Sequence, residues 1–289
     1  MKYKHLVTLF AVALPVSVLI RVFQVFFTVD GTTGFFKPDY KTLGICMVVI
    51  LLAIIATTAI ISVFIRRCPP KMPRVKKSLG TSSLLLGLSV LFEIFNTSYT
   101  TNIAFWQKGL VVLFGGATAV FFIAYGLKMF KNFHINRKFY VVPVLYWMIK
   151  LVFIFTGISS LALISDNVFL VLSYCGTLIF MLEYAKFANK IDIDMNYKKL
   201  FASGLAAIIL CAVTSLPRFI AVIMGNTEIL HESVASPVTV FFTGVFIAAF
   251  IFNDYSVHNL KIKKHHHHRA KTCTPGTQTD GFYIEDVNK

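Results

Sequence analysis

Arg21, Glu93, Lys150 and Arg218 each interrupt a long apolar run. A guanidinium keeps its proton, and a charged side chain at the centre of a bilayer-spanning helix costs at least about 2.5–3.5 kcal/mol on insertion scales. Such groups therefore face a bundle interior or a wet cavity and find partners there. The chemistry open to this set is charge recognition. Three cations against one carboxylate leave a formal excess of positive charge, which attracts an anion. Gln24 at i+3 from Arg21, Asn96 at i+3 from Glu93 and Tyr146 at i−4 from Lys150 extend the same helix faces. The candidate intramembrane polar cluster is thus Arg21, Gln24, Glu93, Asn96, Lys150 and Arg218, with Glu93 the expected partner of Arg21. The competing expectation is structural: Glu93 clamps one arginine, and the remaining long side chains snorkel to the interface. Glu183, three residues before Lys186, reads as a local pair near the inner surface.

The elements that must position these groups are membrane helices. The chain of 289 residues is 56% hydrophobic and 14% charged, with mean hydropathy +0.73, against about 25% charged in soluble domains. Its apolar residues fall into eight runs, at about 6–29, 42–65, 79–99, 109–127, 139–163, 167–188, 199–224 and 235–253. Each is close to the ~20 residues that cross ~30 Å of hydrocarbon. The expected fold is an all-α, eight-helix membrane bundle over residues 1–253 with no sizeable soluble domain, followed by a basic, disordered tail over 254–289. The first run is too long for a signal peptide, carries Arg21 and lacks a small-residue cleavage site, so it reads as a helix.

Basic residues set the orientation. With both termini inside, 22 Lys and Arg lie on the cytoplasmic side against Lys37, Lys41 and Lys108 outside. That asymmetry places both ends in the cytoplasm of a cell-membrane protein. It also accounts for the net charge of +15 without nucleic acid. On this topology the helices carrying Arg21, Glu93, Lys150 and Arg218 all run from inside to outside, with the charges in their middle or outer parts. Proline precedes three of them, at Pro15, Pro143 and Pro217, and is expected to bend those spans.

Other patterns carry less. Cys46, Cys68, Cys175, Cys211 and Cys273 show neither disulfide nor zinc spacing and read as free thiols. Glu228 to Glu232, with His231, lacks the second histidine of a zinc helix and reads as a polar cap. Asp192 and Asp194 read as solvated charge on a short loop. His265 to His268, among Lys263, Lys264 and Arg269, read as an incidental basic tail, with attraction to anionic inner-leaflet lipids as the alternative. Gly115 with Ala119 and Gly244 with Ala248 would let helices pack closely. No phosphate-binding glycine loop or serine nucleophile elbow is present.

Asp30, directly after the first run, resembles in placement the acidic residue of membrane glycosyltransferases that use polyprenyl-phosphate sugars. That resemblance implies an enzyme acting on a lipid-linked substrate at the outer face, with Asp30 or Glu93 as acid or base. The leading expectation is instead a transporter or binding protein with an outward-facing cavity for an anionic solute or lipid headgroup. A non-catalytic scaffold or sensor subunit is the second alternative. No cofactor or metal is expected; membrane lipids are the expected partners, and the sequence names no protein partner.

Overall fold

The computed structural model describes residues 3–30, 36–64, 77–100, 105–131, 135–157, 165–191, 193–224 and 236–252. Among them the chain is helical, without a strand. The helices are α1 (Tyr3–Phe23), α2 (Lys41–Val63), α3 (Lys77–Thr100), α4 (Phe105–Lys131), α5 (Val142–Gly157), α6 (Ser165–Ala188), α7 (Ile193–Ile223) and α8 (Ser236–Phe252). Seven helical segments, those built on α1 to α7, are long and apolar enough to cross a membrane, while α8 is a shorter apolar helix. The tail over 254–289 with its histidine run, the Glu228 to Glu232 segment, Asp192, Cys68 and Cys273 lie outside the described residues. Cys46, Cys175 and Cys211 are free thiols.

Three local features depart from the sequence reading. Pro143 does not bend a span: it sits in the first turn of α5, after a 3-10 turn at Arg137–Val141, where its missing N–H has no intrahelical acceptor to lose. Pro15 and Pro217 do lie inside their helices. Helix α7 starts at Ile193, several residues earlier than the apolar run, so Asp194 belongs to its first turn and not to a loop. Polar residues can continue a helix beyond an apolar run. Finally, α1 widens into a π-helix at Gln24–Thr28. Thr28 closes the segment by donating its hydroxyl to the Gln24 carbonyl at 2.7 Å, and Val29 then forms an isolated antiparallel bridge with Phe36.

The last described helix, α8, is the central one. Phe252 of α8 meets Phe10 of α1 with ring centroids 5.7 Å apart, and Phe241 meets Phe219 of α7 at 5.4 Å. Phe246 meets Phe122 of α4 at 5.2 Å, and Phe250 meets Tyr184 of α6 at 5.1 Å. Thr239 donates to the Ser89 carbonyl of α3 at 3.1 Å. With neighbours on five helices, α8 buries Thr239, Val240, Thr243, Phe246, Ile247, Phe250 and Ile251.

Small residues set the closest approaches, as expected at Gly115 and Gly244. A methyl group on Gly115 would lie 2.8 Å from Ile94 of α3 and 3.1 Å from Tyr146 of α5, and one on Gly244 would lie 2.9 Å from Cys211 Cβ. The α3/α4 crossing brings backbone against backbone, since a Cβ on Gly126 would meet the Gly80 carbonyl at 2.9 Å. Helices packed this closely exchange dispersion contacts that lipid cannot supply as well.

The two ends of the bundle differ in chemistry. Where α4, α6 and α8 end and α5 begins, Tyr125, Tyr140, Tyr184, Phe246 and Phe250 form a cluster of edge-on and tilted rings. The opposite end holds Arg21, Glu93, Lys150 and Arg218.

Candidate functional site

The charged end divides into two groups. The first is built on Glu93 of α3, a carboxylate only 4% exposed. Lys150 of α5 forms an ion pair with it through Oε1, and Tyr146, one turn earlier on α5, donates its hydroxyl to Oε2 at 3.2 Å. Lys150 also donates to the Tyr174 hydroxyl of α6 at 3.0 Å, and that hydroxyl is 2.8 Å from Ser236 Oγ at the start of α8. The ammonium lies 4.8 Å from the centroid of the Tyr174 ring and 5.6 Å from those of Tyr146 and Trp147. A carboxylate and three ring faces thus replace the water that this cation gives up. Four helices, α3, α5, α6 and α8, meet at the pair.

The second group is built on Arg21 of α1, 1% exposed. It donates to the Gln24 side-chain carbonyl, one turn on, at the first residue of the π-helix. Gln24 in turn donates through Nε2 to the Gly44 carbonyl of α2 at 2.8 Å. The guanidinium lies over the Phe169 ring of α6, 4.4 Å from its centroid. Arg218, 8% exposed, is carried by α7, which packs against α1, α2 and α6.

Glu93 forms an ion pair with Lys150, where the sequence reading expected Arg21 as its partner. Helix α6 separates the groups: Phe169 and Tyr174 are five residues apart, so at 3.6 residues per turn they face about 140° apart. Phe169 therefore looks towards α1 and α7, whose Thr214 donates to its carbonyl at 3.2 Å, while Tyr174 looks towards α5 and α8. Asn96 is half-buried one turn beyond Glu93. Glu183 and Lys186 do pair within α6, at 2.9 Å.

The i+3 spacing of Gln24 and the i−4 spacing of Tyr146 marked two of these partners in advance. Nothing in the sequence marked Tyr174, Ser236, Phe169 or the Gly44 carbonyl, because their roles depend on which helix lies beside which. Asp30, half-buried, follows the π-helix, and residues 31–35 beyond it lie outside the described residues. Among the described residues no group of three or more His, Cys, Asp or Glu could hold a metal ion. No known family model, curated protein or solved structure matches the chain.

Proposed function

We propose that this chain is a multi-pass protein of the cell membrane, with eight helices crossing the bilayer and both termini in the cytoplasm. We further propose that it binds and transports an anionic group through the outer end of α1 and α7. Seven helices of crossing length and the concentration of Lys and Arg in alternate loops support the topology. One observation carries the anion reading: two guanidinium groups, Arg21 and Arg218, are buried in two helices that pack on one another. Guanidinium is the cation best suited to this role, because its planar fork matches the oxygens of phosphate, sulfate or carboxylate and sheds water more readily than ammonium. The shared chemistry is an oxyanion, presented by a free solute or by a phospholipid headgroup.

Thermal unfolding in nanodiscs tests the reading. In nanodiscs of neutral lipid, sulfate or inorganic phosphate raises the stability of the wild type and leaves Arg21→Gln and Arg218→Gln unmoved; saturation at 100 Kd corresponds to about 2.7 kcal/mol. If only nanodiscs containing phosphatidic acid stabilise the wild type, the ligand is the headgroup. Stabilisation in neither, or equal stabilisation of both variants, overturns the anion reading. For topology, cysteines placed at Lys41 and Lys131 on a cysteine-free background are labelled with an impermeant maleimide in whole cells. Reaction at 41 and not at 131 is the expected outcome.

A further inference from the structure

A clamp between two helices needs only Glu93 and Lys150, yet the hydrogen-bonded chain continues. From the half-buried first residue of α8 it runs Ser236 Oγ to Tyr174 Oη at 2.8 Å, Tyr174 Oη to Lys150 Nζ at 3.0 Å, and on to Glu93 Oε1. Each hydroxyl in it is both donor and acceptor, the property a proton route requires at every step. We infer that Glu93 is a proton-loading site reached from the end of the bundle through Ser236, Tyr174 and Lys150, and that its protonation state sets the positive charge this end offers an anion. The second half of the inference rests on the anion reading above; the first does not.

The steps balance. Lys150 as ammonium passes a proton to Glu93, leaving a neutral amine and a neutral acid. Tyr174 then gives its hydroxyl proton to the amine, Ser236 restores Tyr174, and solvent restores Ser236. One proton has been taken up, Glu93 is neutral, and Lys150 again carries its charge. A pair that summed to zero now sums to +1, so an oxyanion nearby binds more tightly. By linkage the oxyanion also favours proton uptake to the same degree, which is how a proton and an anion become coupled.

The groups facing Glu93 permit this. Helix α5 contributes Tyr146 and Lys150, and α6 contributes Tyr174. Helix α8 carries no ionisable side chain from Ser236 to Phe252. Helix α4 brings Lys108 two turns before Gly115, the residue packed on Ile94. Arg21 and Arg218 belong to helices that meet the other side of α6. Glu93 is therefore the acceptor on which a proton entering by this route comes to rest.

Infrared spectroscopy after a pH jump, on the full chain in neutral-lipid nanodiscs, tests the proton site. Acidification is expected to raise a carboxylic-acid carbonyl band that is missing in Glu93→Gln. Tyr174→Phe keeps the ion pair and should reach the same final amplitude about tenfold or more slowly. Absence of the band in the folded wild type, or equal rates in Tyr174→Phe, overturns the inference, and the second outcome needs no Glu93 variant to fold. Sulfate titrations across the same acidification separate the two readings, since sulfate keeps its charge. Affinity that rises on acidification in the wild type supports the coupling. An affinity independent of pH, without the band, removes the proton site and leaves the anion reading, while the band without sulfate binding does the reverse.

Discussion

Buried Arg21 and half-buried Lys150 lie at the same end of this bundle, among different neighbours. Lys150 faces a full opposite charge, and three aromatic rings surround its ammonium. Arg21 meets an amide oxygen and the face of one ring, with Gln24 relaying the contact to a backbone carbonyl of α2. The first arrangement cancels charge and links four helices. The second brings dipoles and a ring face to the charge. Burial alone does not say what an intramembrane charge is for; the nature of its neighbours does.

The sharpest way to break this comparison is to remove one member of the pair. Lys150→Met or Glu93→Gln strands a buried charge or dipole and should cost about 3–5 kcal/mol, much of it recovered in the double variant. A double-mutant cycle by reversible unfolding in micelles checks this, and additive losses would mean that the two side chains do not stabilise one another. Next, Gly115→Val drives a branched side chain into Ile94 and Tyr146 behind Glu93 and should cost about 1–3 kcal/mol by overpacking. The matching change on the other side, Gly44→Ala, meets the Phe36 ring. It should weaken the Gln24 contact to α2 and lower sulfate affinity while leaving the Glu93 infrared band in place. Phe169→Leu removes the ring beneath Arg21 and should cost about 1–2 kcal/mol, counting lost cation–π attraction and packing. Ser236→Ala, the mildest change, removes one hydroxyl contact worth about 1 kcal/mol. If Phe169→Leu destabilises the protein as much as Lys150→Met, the proposed difference between the groups disappears.

The all-helical character of the described residues was legible in the sequence, as were seven helices of crossing length, because apolar runs of about twenty residues separated by basic loops are what bilayer-crossing helices require. The four charges were legible for the same reason: each is anomalous in its surroundings. Their pairing was not. Depth along a helix follows from residue count, but azimuth relative to neighbouring helices does not, so Glu93 was expected to meet Arg21 and pairs with Lys150. The π-helix at Gln24–Thr28 was equally hidden, since its residues have ordinary helical propensities and the widening is held by Thr28 and by the reach of Gln24 to Gly44. The centrality of α8 was masked by composition: in a membrane, lipid-facing and buried positions are both apolar.

That centrality has a consequence for how the chain is made. Chains emerge from the ribosome in order at about 5–20 residues per second, so Glu93 and Ser236 are synthesised roughly 7–30 s apart at that rate. Throughout that interval the helices that will enclose α8 must wait with their inward faces turned to one another or to their surroundings. The Ser89 carbonyl then lacks Thr239, and Phe122 and Tyr184 lack Phe246. Among the described helices α8 is made last, and it completes the assembly from the inside. Lesions in Ser236–Phe252 should act late in biogenesis, yielding chains that the cell's quality control meets as unfinished.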